Sequence, residues 1–186
     1  MIMAGLAIMF IFNAFTTLFK LMADPDALAA LYEWQVGSVA KTDWNDILIM
    51  LVVTIIGAVI VQAMAKNINV LSTGDESAKS MGIDVETLRI LLLMVISLVV
   101  ASIVSFTGLI GFVGLVCPHI CRMFVGSDNR YLILSSAMLG STLLVVADVI
   151  GRTIIAPATL QVGVVTAFIG GPMFLYLILR QKKEAW

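Results

Sequence analysis

Three groups of residues in this chain carry side chains able to do chemistry, and each points to a different task. The most reactive is Cys117-Pro118-His119-Ile120-Cys121, whose thiolates and imidazole are ligands that copper and zinc accept. In a continuous helix each residue advances about 100°, so Cys117 and Cys121 share a face while His119 points about 200° away. The three reach one ion only if Pro118 unwinds the helix between them. Otherwise the motif is helix packing, with Pro118 and His119 shaping the end of a helix beside Arg122. The second group is Asp148 and Arg152, four positions apart and therefore on one helix face, where they can pair. The fork of Arg152 also suits a carboxylate on another molecule better than a lysine would. The third is Asn13, Thr16, Thr17 and Lys20, which recur at three- and four-residue steps as one polar stripe on an apolar helix. Such a stripe faces either hydrogen-bonding neighbours or a water-filled cavity. Nucleotide chemistry has no residues to work with: GxxxxGK[ST] does not occur, and Gly108, Gly111 and Gly114 lie in an apolar run with no phosphate-binding lysine behind them. The eleven methionines are scattered and read as fillers of irregular apolar gaps.

The elements that must hold these groups are written in the composition. Of 186 residues, 61% are hydrophobic and 12% charged, with a mean hydropathy of +1.08. A soluble domain carries about 25% charged and about 45–50% apolar residues, so an ordinary water-soluble fold is excluded. A net charge of -1 removes the basic footprint that nucleic-acid binding needs. Two cysteines and one histidine exclude a disulfide scaffold. The remaining class is an integral membrane protein.

Charge-free runs cover residues 1–19, 47–65, 90–121, 131–147 and 153–179. A helical span needs about 20 apolar residues. The run 90–121 holds 32 residues, about 48 Å as helix, against a hydrocarbon core of about 30 Å. It must contain two spans, and Phe106, Thr107, Gly108 and Gly111 mark the weak point between them. The fold class expected is an all-α polytopic membrane protein, with six transmembrane helices plus short interfacial and cytoplasmic helices. The spans fall at about 2–22, 47–65, 88–105, 108–124, 131–150 and 162–180.

Loop charge sets the orientation. One side collects Lys66, Lys79, Arg89, Arg122, Arg130, Arg180, Lys182 and Lys183, the other Lys20, Lys41 and Arg152. The positive-inside rule then places both termini in the cytoplasm. The first run is too long for a signal-peptide h-region of about 7–15 residues and lacks a basic leader, so it reads as a retained helix. A chain that opens directly inside a span also reads as part of something longer.

Two connections are longer than turns. The outer one, 23–46, carries a helix-forming segment at 26–39, with Asp26 as N-cap after Pro25 and Gly37 near its end. Tyr32, Trp34 and Trp44 suit headgroup level, as in an interfacial helix. The inner one, 66–86, includes LSTGDESAKSMG. There Thr73 or Asp75 caps a short helix through Ser80, Gly82 ends it, and a further turn begins at Asp84.

At this inner connection the sequence resembles a known family. Gly74, Asp75, Glu76, Ala78, Met81 and Gly82 are followed by GLIGFVGLVCPHICR at 108–122. Then come Gly126, Asp128, Arg130, Ala147, Asp148 and Arg152, and the stretch 163–172. Together with WQVGS at 34–38 and Trp44, these residues resemble the FecCD family of ABC-transporter permeases, importers of iron chelates, haem or vitamin B12. The resemblance covers essentially the whole chain and implies spans five to ten of a ten-span protein, located in the cytoplasmic membrane.

It also implies partners. An ABC ATPase subunit would bind ATP and Mg and hydrolyse the nucleotide. An extracytoplasmic substrate-binding protein would deliver cargo, and a second permease subunit would complete the path. This chain would carry no cofactor, hold no metal and catalyse no reaction. Gly74, Asp75, Glu76, Ala78, Met81 and Gly82 would form the coupling helix seated in the ATPase, with small Ala78 packing closely in its groove. Arg152, oriented by Asp148, would dock the binding protein. The stripe of Asn13, Thr16 and Thr17 would line the path. Gly163, Ala167 and Gly171, a small-xxx-small strip on the last span, would belong to the path as well, allowing close backbone approach at the dimer interface or, equally, packing within the subunit. Pro172 adds a flexure point. Two other readings remain at this stage: a metal-ion transporter using the Cys and His cluster and methionines, and a non-transporting membrane scaffold.

Overall fold

The computed structural model describes residues 2–40, 42–155 and 158–181; the side chains of Ile2, Leu177, Ile178, Arg180 and Gln181 are outside the description. Of the cations that set the expected orientation, Lys41, Lys182, Lys183 and the Arg180 side chain therefore lie outside the described residues. All regular structure among the described residues is helical: α1 Ile2–Met22, α2 Pro25–Val36, α3 Trp44–Ala63, α4 Ala65–Leu71, α5 Asp75–Ser80, α6 Val85–Thr107, α7 Val113–Val125, α8 Asn129–Thr153 and α9 Val162–Gln181. Four of them, α1, α3, α6 and α8, are long and apolar enough to cross a membrane, and α7 and α9 contribute shorter apolar helices.

The chain divides into two units, Met1–Gln35 and Val36–Trp186. In the first, Pro25 opens α2, where its fixed φ suits a first helical turn and its missing N–H costs nothing. The Leu28 N–H donates to the Asp24 carbonyl. Asp24, not Asp26, therefore holds the capping position, because the helix starts at the proline itself. Lys20 at the end of α1 donates to Gln35 Oε1 at 3.1 Å, and its ammonium lies 5.0 Å from the centre of the Tyr32 ring.

In the second unit, α3 packs on α6, α7 on α8, and α8 and α7 on α9. Gly57 lets α3 approach α6, since a Cβ there would overlap the Val99 side chain. A small core of Ala147, Val162 and Val165 joins α8 to α9, with Val39, Leu144, Ile150 and Leu160 around it. Most large apolar side chains on the other faces are exposed, Phe168 at 77% among them. In water that surface would be an association hazard; against lipid or other apolar helices it is ordinary.

The break in the long apolar run falls where helix propensity is weakest. Gly108, at φ 72, ends α6, and Phe112, at φ 67, is a left-handed non-glycine residue just before α7. Helix α7 has 13 residues, about 20 Å at 1.5 Å per residue. Residues 108–112 link α6 to α7 as irregular backbone.

Candidate functional site

The inner connection folds as two short helices rather than one. Helix α4 continues almost directly from α3, and Ser72 and Thr73 close it by donating their hydroxyls to the carbonyls of Asn69 and Val70. Thr73 is thereby turned back onto α4, so Gly74 at φ 116 takes the capping position of α5 without a side-chain cap. At the other end Gly82 adopts φ 82. Its N–H donates to the Lys79 carbonyl, and the Ile83 N–H to the Ala78 carbonyl, a Schellman closure that satisfies the last helical carbonyls. Asp84 then starts α6 by accepting from the Glu86 and Thr87 N–H groups and the Thr87 hydroxyl. Those bonds, the Thr87 hydroxyl first, hold its carboxyl below the ordinary carboxylate range.

Within this element the candidate residues separate into two sets. Gly74, Asp75, Glu76, Met81 and Gly82 are exposed, Met81 at 66%. Ala78 is fully buried. Ala78, expected in the coupling helix, is thus covered by this chain itself, where α5 packs against α4 and α6. Asp75 accepts from Arg89 on α6 at 3.1 Å, an ion pair with both side chains about half exposed, which in that setting contributes little stability.

Behind the element lies a polar junction that sequence reasoning missed. Asn69 on α4 donates through Nδ2 to Asp128 Oδ1 at 2.6 Å. It accepts through Oδ1 from the Asn129 N–H at 2.8 Å and from Asn129 Nδ2 at 2.7 Å. Asp128 caps α8 by accepting from the Arg130 N–H, and pairs with the Arg130 guanidinium at 3.0 Å. Gln62 Nε2 donates to the Arg130 carbonyl at 2.7 Å. The bonds from Arg130, then Asn69, depress the Asp128 carboxyl to a pKa of about 2. Asn69 and Asp128 are 59 positions apart. The available signal was local: Asp128 precedes a helix, where a cap belongs, and a helical asparagine needs a polar partner.

The remaining candidates fall as follows. Arg152 Nε donates to Asp148 Oδ2 at 2.7 Å, with the arginine side chain 54% exposed and the aspartate 24%. Asn13, Thr16 and Thr17 are exposed on α1. The two threonine hydroxyls donate to carbonyls one turn back, Phe12 and Asn13, which leaves their acceptor lone pairs outward. The strip on α9 divides. Gly163 is buried and donates its N–H to the Gly37 carbonyl, and a Cβ on it would overlap the Val36 carbonyl. Ala167 is exposed, and a Cβ on Gly171 would meet nothing within 4 Å. The second close approach is at Gly170, against Phe112. Seven residues make two helical turns, so Gly163 and Gly170 share the inward face while Gly171 is turned away. Helix α7 runs unbroken through Pro118, with Cys117 and Cys121 buried and His119 half-buried. That geometry keeps the imidazole away from the thiol face, so the reading in which all three bind one ion gains no support.

With this geometry in place, comparison with known proteins identifies the scaffold. The FecCD transport family model matches residues 1–180. A protein of Methanocaldococcus jannaschii described as an ABC transporter permease is 44% identical over 184 residues, 99% of this chain and 53% of its own length. The hemin transport system permease protein HmuU of Yersinia pestis is 34% identical over 99% of this chain and 55% of its own. A solved chain described as a metal-chelate type ABC transporter in an inward-facing conformation superposes with a TM-score of 0.89 at 29% identity, over 95% of this chain and 57% of that one. The chain thus spans about half the length of the relatives it matches. A multi-pass, all-helical membrane scaffold matched over almost its whole extent in sequence and in structure leads to one assignment: this chain belongs to the FecCD transport family of ABC transporter permeases.

Proposed function

We propose that this chain is permease machinery of an ATP-binding-cassette importer whose cargo is a bulky metal chelate, of the class that includes iron(III) chelates, haem and corrinoids. Helices α1, α3, α6, α7, α8 and α9 act as six spans of the cytoplasmic membrane with both termini inside. The eight cations on the α4–α5 side against three on the other support that orientation. The chain makes and breaks no covalent bond. An ATPase subunit binds ATP and Mg, an extracytoplasmic binding protein brings the cargo, and a second permease subunit completes the path.

The exposed edge of the α4–α5 connection carries this reading. Met81 and Gly82 are exposed just past the end of α5, whose Ala78 is buried, and Asp75 and Glu76 are exposed in its first turn. An exposed, flexible apolar side chain on a short charged helix is a natural anchor for a groove, with the charges setting register more than affinity. Nucleotide-driven movement of the ATPase would enter there and shift the packed helices as rigid bodies. At the opposite end of α8, Arg152 meets a carboxylate of the binding protein, held in place by Asp148. On α1, Asn13, Thr16 and Thr17 are assigned to the cargo path. On α9, Ala167 and Gly171 are assigned to the approach of the second subunit, and Gly163 to packing within this chain.

The test is Met81→Glu, which puts a charge where the anchor should enter a groove. Co-purification with the ATPase subunit should fall about tenfold or more, while membrane insertion and the yield of the permease stay unchanged. Undiminished co-purification contradicts the assignment.

A further inference from the structure

We infer that Asn69 is a positioning residue for energy coupling: its amide locks α4, and with it the α5 element, to the start of α8, so that a displacement of α5 is delivered to the helix that carries Arg152. This inference rests on the function proposed above and adds to it a specific mechanical link.

A force on α5 can leave it by two routes. One route is the backbone, through Gly82 and Ile83 into α6. The Asp75–Arg89 pair follows the same route, but it is an exposed ion pair, and such pairs are weak and easily exchanged for water. The other route leads backward through α4, which packs against α8. Apolar contact alone would let α4 slide or rotate on α8. The Asn69 amide prevents that, because each of its two ends has a partner of only one kind. Asp128 as a carboxylate can only accept, and the Asn129 N–H groups donate, so the amide has one orientation and one register. Asp128 is at the same time the N-cap of α8. The bond thus ends on the helix itself, at the backbone of its first turn. Gln62, at the end of α3, reaches the next carbonyl along.

Helix α8 then runs without interruption from Asn129 to Thr153. The clamp at Asp128 and the ion pair at Asp148 are separated by 20 residues, about 30 Å of helix. The same helix bears the Asn69 junction at one end and the exposed arginine at the other. Asn69 itself is half-buried, outside the exposed Gly74 to Gly82 edge and 59 positions from its carboxylate partner, so its amide serves the junction rather than a partner protein.

The exchange pair Asn69→Asp and Asn69→Asp with Asp128→Asn tests this in the assembled transporter. The single change sets two carboxylates against each other and removes the donor. The double change restores it with the roles reversed, and asparagine at 128 still caps α8. Reconstituted in liposomes, the single variant should bind the ATPase subunit as before and keep its basal ATP hydrolysis. Stimulation of hydrolysis by the binding protein should fall about fivefold or more, the scale of coupling between distant sites. The double variant should recover most of the stimulation. Full stimulation in the single variant overturns the inference, as does no recovery in the double variant. Loss of stimulation in step with loss of ATPase binding overturns it too, since that outcome marks a purely structural role. If instead Met81→Glu leaves ATPase binding intact, the coupling surface itself is misassigned, and the two failures are told apart.

Discussion

The two ends of α8 are held in different ways, and the contrast is instructive. At its start the chain is joined by side chains: Asn69, Asp128, Asn129, Arg130 and Gln62 make a connected set of directional bonds. At its end the chain is joined by backbone hydrogen bonds made at glycines or next to them. The Gly163 N–H meets the Gly37 carbonyl, the Leu160 N–H meets the Gly151 carbonyl, and the Ser38 N–H meets the Thr107 carbonyl. A Cβ on Gly37, Gly151 or Gly163 would overlap a neighbouring carbonyl group. The first arrangement specifies one orientation and one register through directional bonds, so that α4 and α8 move together. The second is a close-packed knot with no slack. An element that receives a mechanical stroke is better served by the first, and a fixed bearing by the second.

The largest effect expected from breaking this contrast is at the knot. Gly163→Leu should destabilise the second unit by about 3 kcal/mol or more, because neither the Val36 carbonyl nor the backbone at Leu109 can move aside. Thermal denaturation in detergent measures it. Gly114→Leu, on α7 and with open space where its Cβ would stand, is the control that should leave the midpoint nearly unchanged. A smaller effect is expected beyond the knot, at the exposed guanidinium. Arg152→Glu should weaken capture of the binding protein several-fold, as charge reversal at an interface rim does, with ATPase association intact. Pull-down with each partner separately checks it, and unchanged capture removes the docking role.

How much of this was legible in the sequence depends on how far apart the causes lie. Composition alone placed the chain in a membrane, because no soluble core hides so many apolar residues. Punctuation within a few residues was also readable: Gly108 closes α6, Gly82 closes α5, and Asp84 opens α6 with its carboxylate. The pairing of Asp148 with Arg152 followed from helical geometry. Contacts between distant positions were not readable. Nothing local to Asn69 names Asp128 as its partner. Nor does the spacing of small residues on α9 say which of two offset faces turns inward; that was decided by Phe112, which sits against Gly170. Ala78 carries the same lesson. A small residue on a short exposed helix reads equally as a partner contact or as internal packing, and only the folded chain shows that Ala78 is covered from within.

In the proposed function the stretch from Gly74 to Gly82 faces the cytoplasm and is gripped by the ATPase subunit. The most direct measurement is Met81→Cys in sealed vesicles, with Cys117 and Cys121 replaced by alanine, probed with a membrane-impermeant thiol reagent from each side and with a short bifunctional crosslinker in the assembled transporter. The account predicts modification from the cytoplasmic side only and a crosslinked permease–ATPase band whose yield changes with nucleotide. Modification from the outside, or no crosslink to the ATPase at any nucleotide state, would contradict it.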